Sequence, residues 1–387
     1  MSEERRVIPN AVPHLAGNEW KYLKECLDTN WVSSAGPFIS RFERAVADWV
    51  GVPHAVATVN GSAALHVALL AAGVKPGDEV LVPTFTFVAT ANAIAYCGAH
   101  PVFLDVEPVS WGLDSEKLAD FLARECRMES GRAINRTTGR TVRAVLPVDL
   151  YGHPCDLDPV LALAGRHGLA VVEDAAEALG AVYRGRAVGG DAPLACLSFN
   201  GNKVITSGAG GMVLMRDEVL AARVRDLTTQ ARGDALEFVH TEVGFNYRMS
   251  NLHAALGLAQ IEQLPGFLEA KRETAAAYAA LLTGVDGVTV VGEAPWARSA
   301  CWMPSLLVDE RRCADVRALL RDLNAAGIQA RPLWRPLHLQ PAFAAAQRHQ
   351  IDVAPRLYAR GLSLPCSVGI TPEERRTVVE ALLRRLS

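Results

Sequence analysis

The chain has 387 residues, of which half are hydrophobic and 21% charged, and its formal net charge is −3. That length exceeds one ordinary compact core and predicts two domains, while the near-neutral charge gives no reason to expect a nucleic-acid or acidic-membrane partner. No apolar run is long enough to span a bilayer, the opening Met1-Ser-Glu-Glu-Arg-Arg lacks a secretory segment, and the eight cysteines show no metal-ligand spacing, so a cytoplasmic, reduced, metal-free protein is expected.

Residues 1–50 read as an arm and two helices. From Gly17 to Leu27, Trp20, Leu23 and Leu27 recur at helical spacing, as do Phe42, Ala45, Val46 and Trp49 before Gly51. The stretch 30–37 between them, with Ser, Gly and Pro, reads as a loop. Short apolar runs at 55–59, 79–83, 101–106, 144–148, 170–173 and 196–199 then alternate with helical patterns starting near Ser62, Thr86, Asp114 and Asp158. This alternation predicts an α/β fold, a mostly parallel sheet covered by helices on both faces. Residues 124–143 place several arginines among Gly, Thr, Asn and Glu without apolar periodicity, which reads as a solvated insertion. A helical stretch over 250–282, broken near Pro265, leads to strands at 288–291 and 301–308, a helix at 313–326 and a strand at 328–331. A last helix over 372–386 is opened by Thr371-Pro-Glu-Glu, a cap followed by Pro and early acids. The expected domains are therefore 51–262, large and flanked by the 1–50 arm and helices, and 263–387, a smaller C-terminal α/β unit.

In parallel sheets ligands bind beyond the carboxyl ends of the strands. Four such ends carry chemistry here. Asn60-Gly-Ser-Ala-Ala-Leu65 is a glycine turn opening into a helix, an anion site by its free N–H groups, although such a turn is often only a cap. Thr84-Phe-Thr-Phe87 could place an aromatic ring on a planar ligand, or be plain core. Glu173-Asp174-Ala-Ala-Glu177 ends a buried strand with acids, which are costly there unless paired; a protonated ring nitrogen is one suitable partner. Asn200-Gly-Asn-Lys203 precedes a glycine-rich return strand, a suitable setting for a lysine nucleophile. Each signal is weak alone, and their order on one sheet is not.

In that order the chain resembles the DegT/DnrJ/StrS-type sugar aminotransferases, pyridoxal-phosphate (PLP) enzymes of the aspartate-aminotransferase fold (type I), with a smaller C-terminal α/β domain. The resemblance rests on Gly17-Asn-Glu-Trp, Trp31-Val-Ser-Ser-Ala-Gly-Pro37, Asn60-Gly-Ser-Ala-Ala-Leu65, the 83–92 and 173–180 segments, Ser198-Phe-Asn-Gly-Asn-Lys203 and Gly244-Phe-Asn-Tyr-Arg-Met-Ser-Asn251. It implies that Lys203 forms the Schiff base with the cofactor and later carries the proton, that Asp174 pairs with the pyridinium nitrogen, and that Phe87 stacks on the ring. It further implies that Gly61, Ser62, the Ala63 amide and Ser198 hold the phosphate, with Asn246 reaching it from a neighbouring subunit. Glu177 falls near the ring hydroxyl, where relatives often carry Gln or His. Arg248 would bind the amino donor's carboxylate, and His338 and Trp31 would border the sugar-nucleotide pocket. No metal is implied, and a site shared between subunits implies a homodimer.

The reaction implied is a ping-pong transfer from L-glutamate to a nucleotide-linked keto-sugar, with pyridoxamine phosphate as the intermediate cofactor form. The segment 18–31, Thr138-Gly-Arg140 and Gly152-His-Pro-Cys-Asp156 look most like a subgroup acting at C4 of UDP-4-keto-6-deoxy-N-acetylhexosamine, in legionaminic-acid-type surface-polysaccharide pathways. A GDP-linked 4-keto-6-deoxymannose, giving perosamine, and dTDP-linked keto-sugars of antibiotic pathways are the alternatives. A dehydrase branch carries His in place of the lysine, and Lys203 argues against it. A nicotinamide dehydrogenase would need GxGxxG after its first strand, which is absent. A non-catalytic regulator of the same fold would be expected to lose Lys203 or Asp174.

Overall fold

The computed structural model describes residues 7–234 and 236–386. Its main sheet runs in space His54–Thr58, Gly211–Met215, Leu194–Ser198, Ala170–Asp174, Thr141–Val145, Glu79–Pro83, His100–Leu104 and Arg348–His349. All neighbours are parallel except Gly211–Met215, which runs antiparallel to the strands on both sides. Glu79–Pro83 and Gly211–Met215 are buried along their whole length, as expected for strands covered on both faces. This arrangement brings Thr58, Pro83, Asp174 and Ser198 to one edge of the sheet, together with the start of the return strand at Gly211.

The first helix, Glu19–Asp28, turns the opposite way from the sequence expectation. Its buried residues are Glu19, Tyr22 and Cys26, while Trp20 is 76% exposed and Leu27 lies outside as well. The reason is polar: Glu19 Oε1 accepts from Gln260 Nε2 (2.6 Å) and Gln263 Nε2 (2.7 Å), and Tyr22 donates to Glu262 Oε1 (2.7 Å). A face that reads as solvated is thus tied to the Asn251–Ile261 helix and the turn after it. In the second helix, Pro37–Val50, Phe42 and Val46 are buried as expected, and Trp49 is partly outside.

Residues 124–143 are not a plain solvated loop. Cys126–Glu129 and Arg132–Asn135 form a hairpin whose second strand joins the main sheet through Ala133 and Val142. Ser130 and Gly131 both have positive φ (49° and 76°), the two-residue turn that matches strand twist. Asn135 Nδ2 and Thr138 Oγ1 each donate at 2.7 Å to the carboxylate of Glu79, which is buried at the sheet's far edge. A helix at Glu218–Thr228, opened by the Asp217 side chain, also goes beyond the sequence reading.

A second sheet, ordered Val288–Val290, Ser305–Val308, Gly361–Ser363 and Arg331–Pro332, has its own core with Tyr278, Leu319, Leu323, Val378 and Leu382. Ile8 joins that core and bridges Ile328, so the strand expected at 328–331 is reduced to Arg331–Pro332. The chain beyond 263 does not stay there: Trp302, Leu333, Leu337, Phe343 and Leu357 are buried in the first core.

Candidate active site

A cavity of about 270 Å³ opens at the functional edge of the main sheet. Gly61, Ser62, Phe87, Asp174, Glu177, Ser198 and Lys203 all line it, drawn from four strand ends. Asn60 caps the Gly61–Ala71 helix by accepting from the Ala63 N–H at 2.8 Å, so that amide is occupied and Ala63 does not reach the wall. A side chain at Gly61 would bring its Cβ to 2.9 Å from Ser198 Cβ, and one at Gly211 to 2.4 Å from the Asn60 carbonyl oxygen. Small residues therefore keep the helix N-terminus and Ser198 converged on one point, which is suited to a phosphate.

Asp174 is buried. Thr90 Oγ1 donates to its Oδ2 at 2.8 Å and the Ala176 N–H to its Oδ1 at 3.2 Å. Burial pushes this carboxyl up from its ordinary range, against the pull of those two bonds and the Lys203 charge. Glu177 is also raised by burial, and it accepts the Tyr151 N–H at 2.7 Å. Lys203 Nζ lies 3.5 Å from Glu177 Oε1 and 4.0 Å from the centre of the Trp302 ring. Two buried acids thus face one lysine, and one negative charge lacks a partner. A pyridinium nitrogen at Asp174 would supply a partner for it and the helix N-terminus could take a phosphate, so the residues present fit PLP.

Several lining residues were not legible in the sequence. Trp302 donates from Nε1 to the Asn202 carbonyl (2.6 Å), bracing the lysine loop. Trp334 meets Phe87 at 5.1 Å between ring centres, and Tyr151 stacks between Trp302 and Trp334 at 6.3 and 5.8 Å. Nothing local marks either tryptophan. Thr90 had a signal: it lies one helical turn beyond Thr86, and their hydroxyls are 3.1 Å apart.

The remaining expected residues lie away from this wall. His338 is buried behind a strand end, its Nδ1 2.7 Å from the Thr84 hydroxyl, which gives it a structural tie. Trp31 is half exposed. Arg248 bridges Thr58, and the Tyr247 carbonyl accepts the Val59 N–H at 2.8 Å, so 246–248 runs beside the strand feeding the phosphate turn. Asn246 and Arg248 do not line the cavity of their own chain.

A family model for the DegT/DnrJ/EryC1/StrS aminotransferases matches residues 13–383. The chain belongs to that family. GDP-perosamine synthase of Caulobacter vibrioides is 42% identical over 376 residues, covering 97% of each chain. GDP-perosamine synthase of Escherichia coli O157:H7 is 38% identical over 379 residues, 97% of this chain and 98% of the relative. Among solved structures, the sugar aminotransferase CalS13 from Micromonospora echinospora superposes with a TM-score of 0.83 at 28% identity, covering 97% of this chain and 99% of that one. This aminotransferase therefore has the type I fold, uses PLP, and acts on sugars. No helix among its described residues is long and apolar enough to cross a membrane.

Proposed function

We propose that this aminotransferase moves an amino group from L-glutamate to C4 of a nucleotide-linked 4-keto-sugar, and that GDP-4-keto-6-deoxymannose is the acceptor. The observation that carries the transamination is Lys203 poised between Glu177 and Trp302 in a cavity floored by Asp174. The choice of GDP is supported by the two GDP-perosamine synthases at 42% and 38% identity. A UDP-linked 4-keto-6-deoxy-N-acetylhexosamine, the acceptor expected from 18–31 and 152–156, is the reading the test must separate. The enzyme is proposed to work in the cytoplasm.

Bound PLP supplies the electron sink that stabilises negative charge at the substrate's α-carbon. The chain supplies position and protons. Asp174, whose ionised form the Thr90 and Ala176 bonds favour against burial, would hold the positive ring nitrogen; Ser62, Ser198 and the free amides at the start of the Gly61–Ala71 helix would hold the phosphate. The free Nζ of Lys203 would take the α-proton of the donor amino acid, hold it, and give it back in the second half of the shift. Glu177 beside Nζ keeps the lysine oriented for both steps. Trp302 and Trp334 exclude water from one side. In a homodimer, Asn246 and Arg248 of one subunit would complete the phosphate and donor-carboxylate contacts of the other.

The test is spectroscopic. Glutamate should bleach the visible band of the purified, PLP-loaded enzyme, and the GDP-keto-sugar should restore it. Restoration by the UDP-linked sugar alone would reject the GDP reading and keep the transaminase. Failure to bleach with glutamate or other amino acids would reject the role given to Lys203.

A further inference from the structure

Glu173 and Asp149 adjoin the cofactor cavity without lining it. Strand alternation turns Glu173 to the face opposite its neighbour Asp174. Glu173 is 2% exposed and Asp149 1% exposed, and among the described residues neither makes an ion pair. Each leaves one buried oxygen, Glu173 Oε2 and Asp149 Oδ2, without a donor. The other Asp149 oxygen accepts the Cys155 N–H at 2.9 Å. Val148 pairs with Asp174 in parallel, which puts the side chains of 149 and 173 on one face, close enough for each carboxyl to bear on the other's titration.

Two ionised carboxylates in that position would be uncompensated buried charges repelling at contact distance. A single proton between them satisfies both orphaned oxygens and removes one charge. We propose that Glu173 is a protonated carboxylic acid at neutral pH, that it donates to the Asp149 carboxylate, and that this pair is the positioning unit for Asp174 and Tyr151. The inference rests on the PLP site described above and not on the identity of the sugar.

The groups around the pair fit this assignment. Asp191 adds a third acid near Glu173, Asp174 lies beyond Asp149, and the thiols of Cys155 and Cys196 are buried alongside and raised by burial. Asp191 itself is paired with Arg186 at 2.9 Å. Asp149 already accepts the Cys155 N–H, which favours its ionised form, and burial and then Asp149 push Glu173 well above the carboxylate range, so the proton is placed on Glu173. The positioning follows from the backbone. The Asp149 N–H donates to the Asp174 carbonyl at 3.1 Å, and the Asp174 N–H to the Pro147 carbonyl at 2.9 Å. Two residues on, Tyr151 takes a left-handed φ of 54°, gives its N–H to Glu177, and enters the Trp302–Trp334 stack. A side-chain clamp between 149 and 173 therefore fixes, through the backbone, both acids that face Lys203.

Infrared spectroscopy of the PLP-loaded enzyme in heavy water tests this directly. The wild type should show the carbonyl band of a buried protonated carboxylic acid, and Glu173→Gln should lose it while retaining PLP and the glutamate half-reaction within about threefold, because the amide still donates. Glu173→Ala, which leaves Asp149 Oδ2 without a donor, should hold PLP about tenfold or more weakly, on the cost of an unsatisfied buried oxygen. If Glu173→Gln fails to fold, Asp149→Asn should shift the band without removing it, since the donor remains. A wild type without the band, a band that neither variant alters, or a Glu173→Ala enzyme with wild-type PLP retention would overturn the proposal. None of these readouts uses a sugar acceptor, so they stand if the GDP reading fails.

Discussion

Replacing Thr90 by valine isolates the electrostatic duty of one hydroxyl. The side chain is buried, nearly isosteric with valine, and its Oγ1 donates to Asp174 Oδ2 at 2.8 Å. A hydrogen bond to a charged acceptor contributes about 1.5–3 kcal/mol, and each pH unit of titration corresponds to about 1.4 kcal/mol. Asp174 is already raised by burial and the Thr90 bond opposes that rise, so its loss moves the carboxyl further upward. The ionised fraction that holds a pyridinium then falls at any given acidic pH. PLP affinity should drop about tenfold to a hundredfold, and the acid limb of PLP binding should move to higher pH. Quenching of Trp302 and Trp334 fluorescence during PLP titrations at several pH values reads both effects. Thr90→Ser keeps the donor and should bind nearly as wild type. A Thr90→Val titration superimposable on wild type, or a serine variant as weak as the valine one, would refute the reasoning.

Other outcomes follow from single contacts. Lys203→Ala should fold and admit PLP but show neither the lysine-dependent visible band nor turnover, checked by absorbance and a coupled glutamate assay. Gly211→Ala would press its Cβ to 2.4 Å from the Asn60 carbonyl oxygen and 2.7 Å from the Gly61 nitrogen, backbone on both counts. It should destabilise by about 1–3 kcal/mol in urea unfolding and lose PLP on dialysis. Asp105 is fully buried, pairs with Lys117 at 2.8 Å and accepts the N–H groups of Asp352, Val353 and Ala354 at 2.7, 2.6 and 3.0 Å. Asp105→Ala should cost about 3–5 kcal/mol by the same measurement, because a lysine and a helix end are left unpaired. Asp149 has a folded pKa raised to about 6, so its contribution to stability falls as pH rises from about 4 to about 6. Asp149→Asn removes that slope, and its stability relative to wild type should improve steadily across the window.

What was legible in the sequence is what strand ends dictate. Gly61, Ser62, Phe87, Asp174, Glu177, Ser198 and Lys203 each end or follow a short apolar run, and a parallel sheet must bring such positions to one edge. Hydrophobic periodicity misled where burial is polar. Glu19 faces inward because two glutamines wait for it, and Trp20 is left outside. The 126–135 hairpin was hidden by its arginines, yet Ser130-Gly131 between short alternating runs was its signal. Trp302 and Trp334 had none, since they reach Lys203 and Phe87 across long stretches of chain, and a contact of that kind leaves no local pattern.

The position of Trp302 has a mechanical consequence. Its carbonyl receives Lys271 Nζ at 3.1 Å, from the long Leu264–Leu281 helix, and the same ammonium holds the Cys366 carbonyl at 2.7 Å. Its ring lies against Lys203 and its indole N–H grips the lysine loop. The Lys203 amine is thereby tethered, through one tryptophan, to the strut connecting the two sheets. A swing of the smaller sheet by more than a hydrogen-bond length would pull on the lysine loop itself. Through Trp302 and Lys271 the small unit buttresses the loop that carries Lys203.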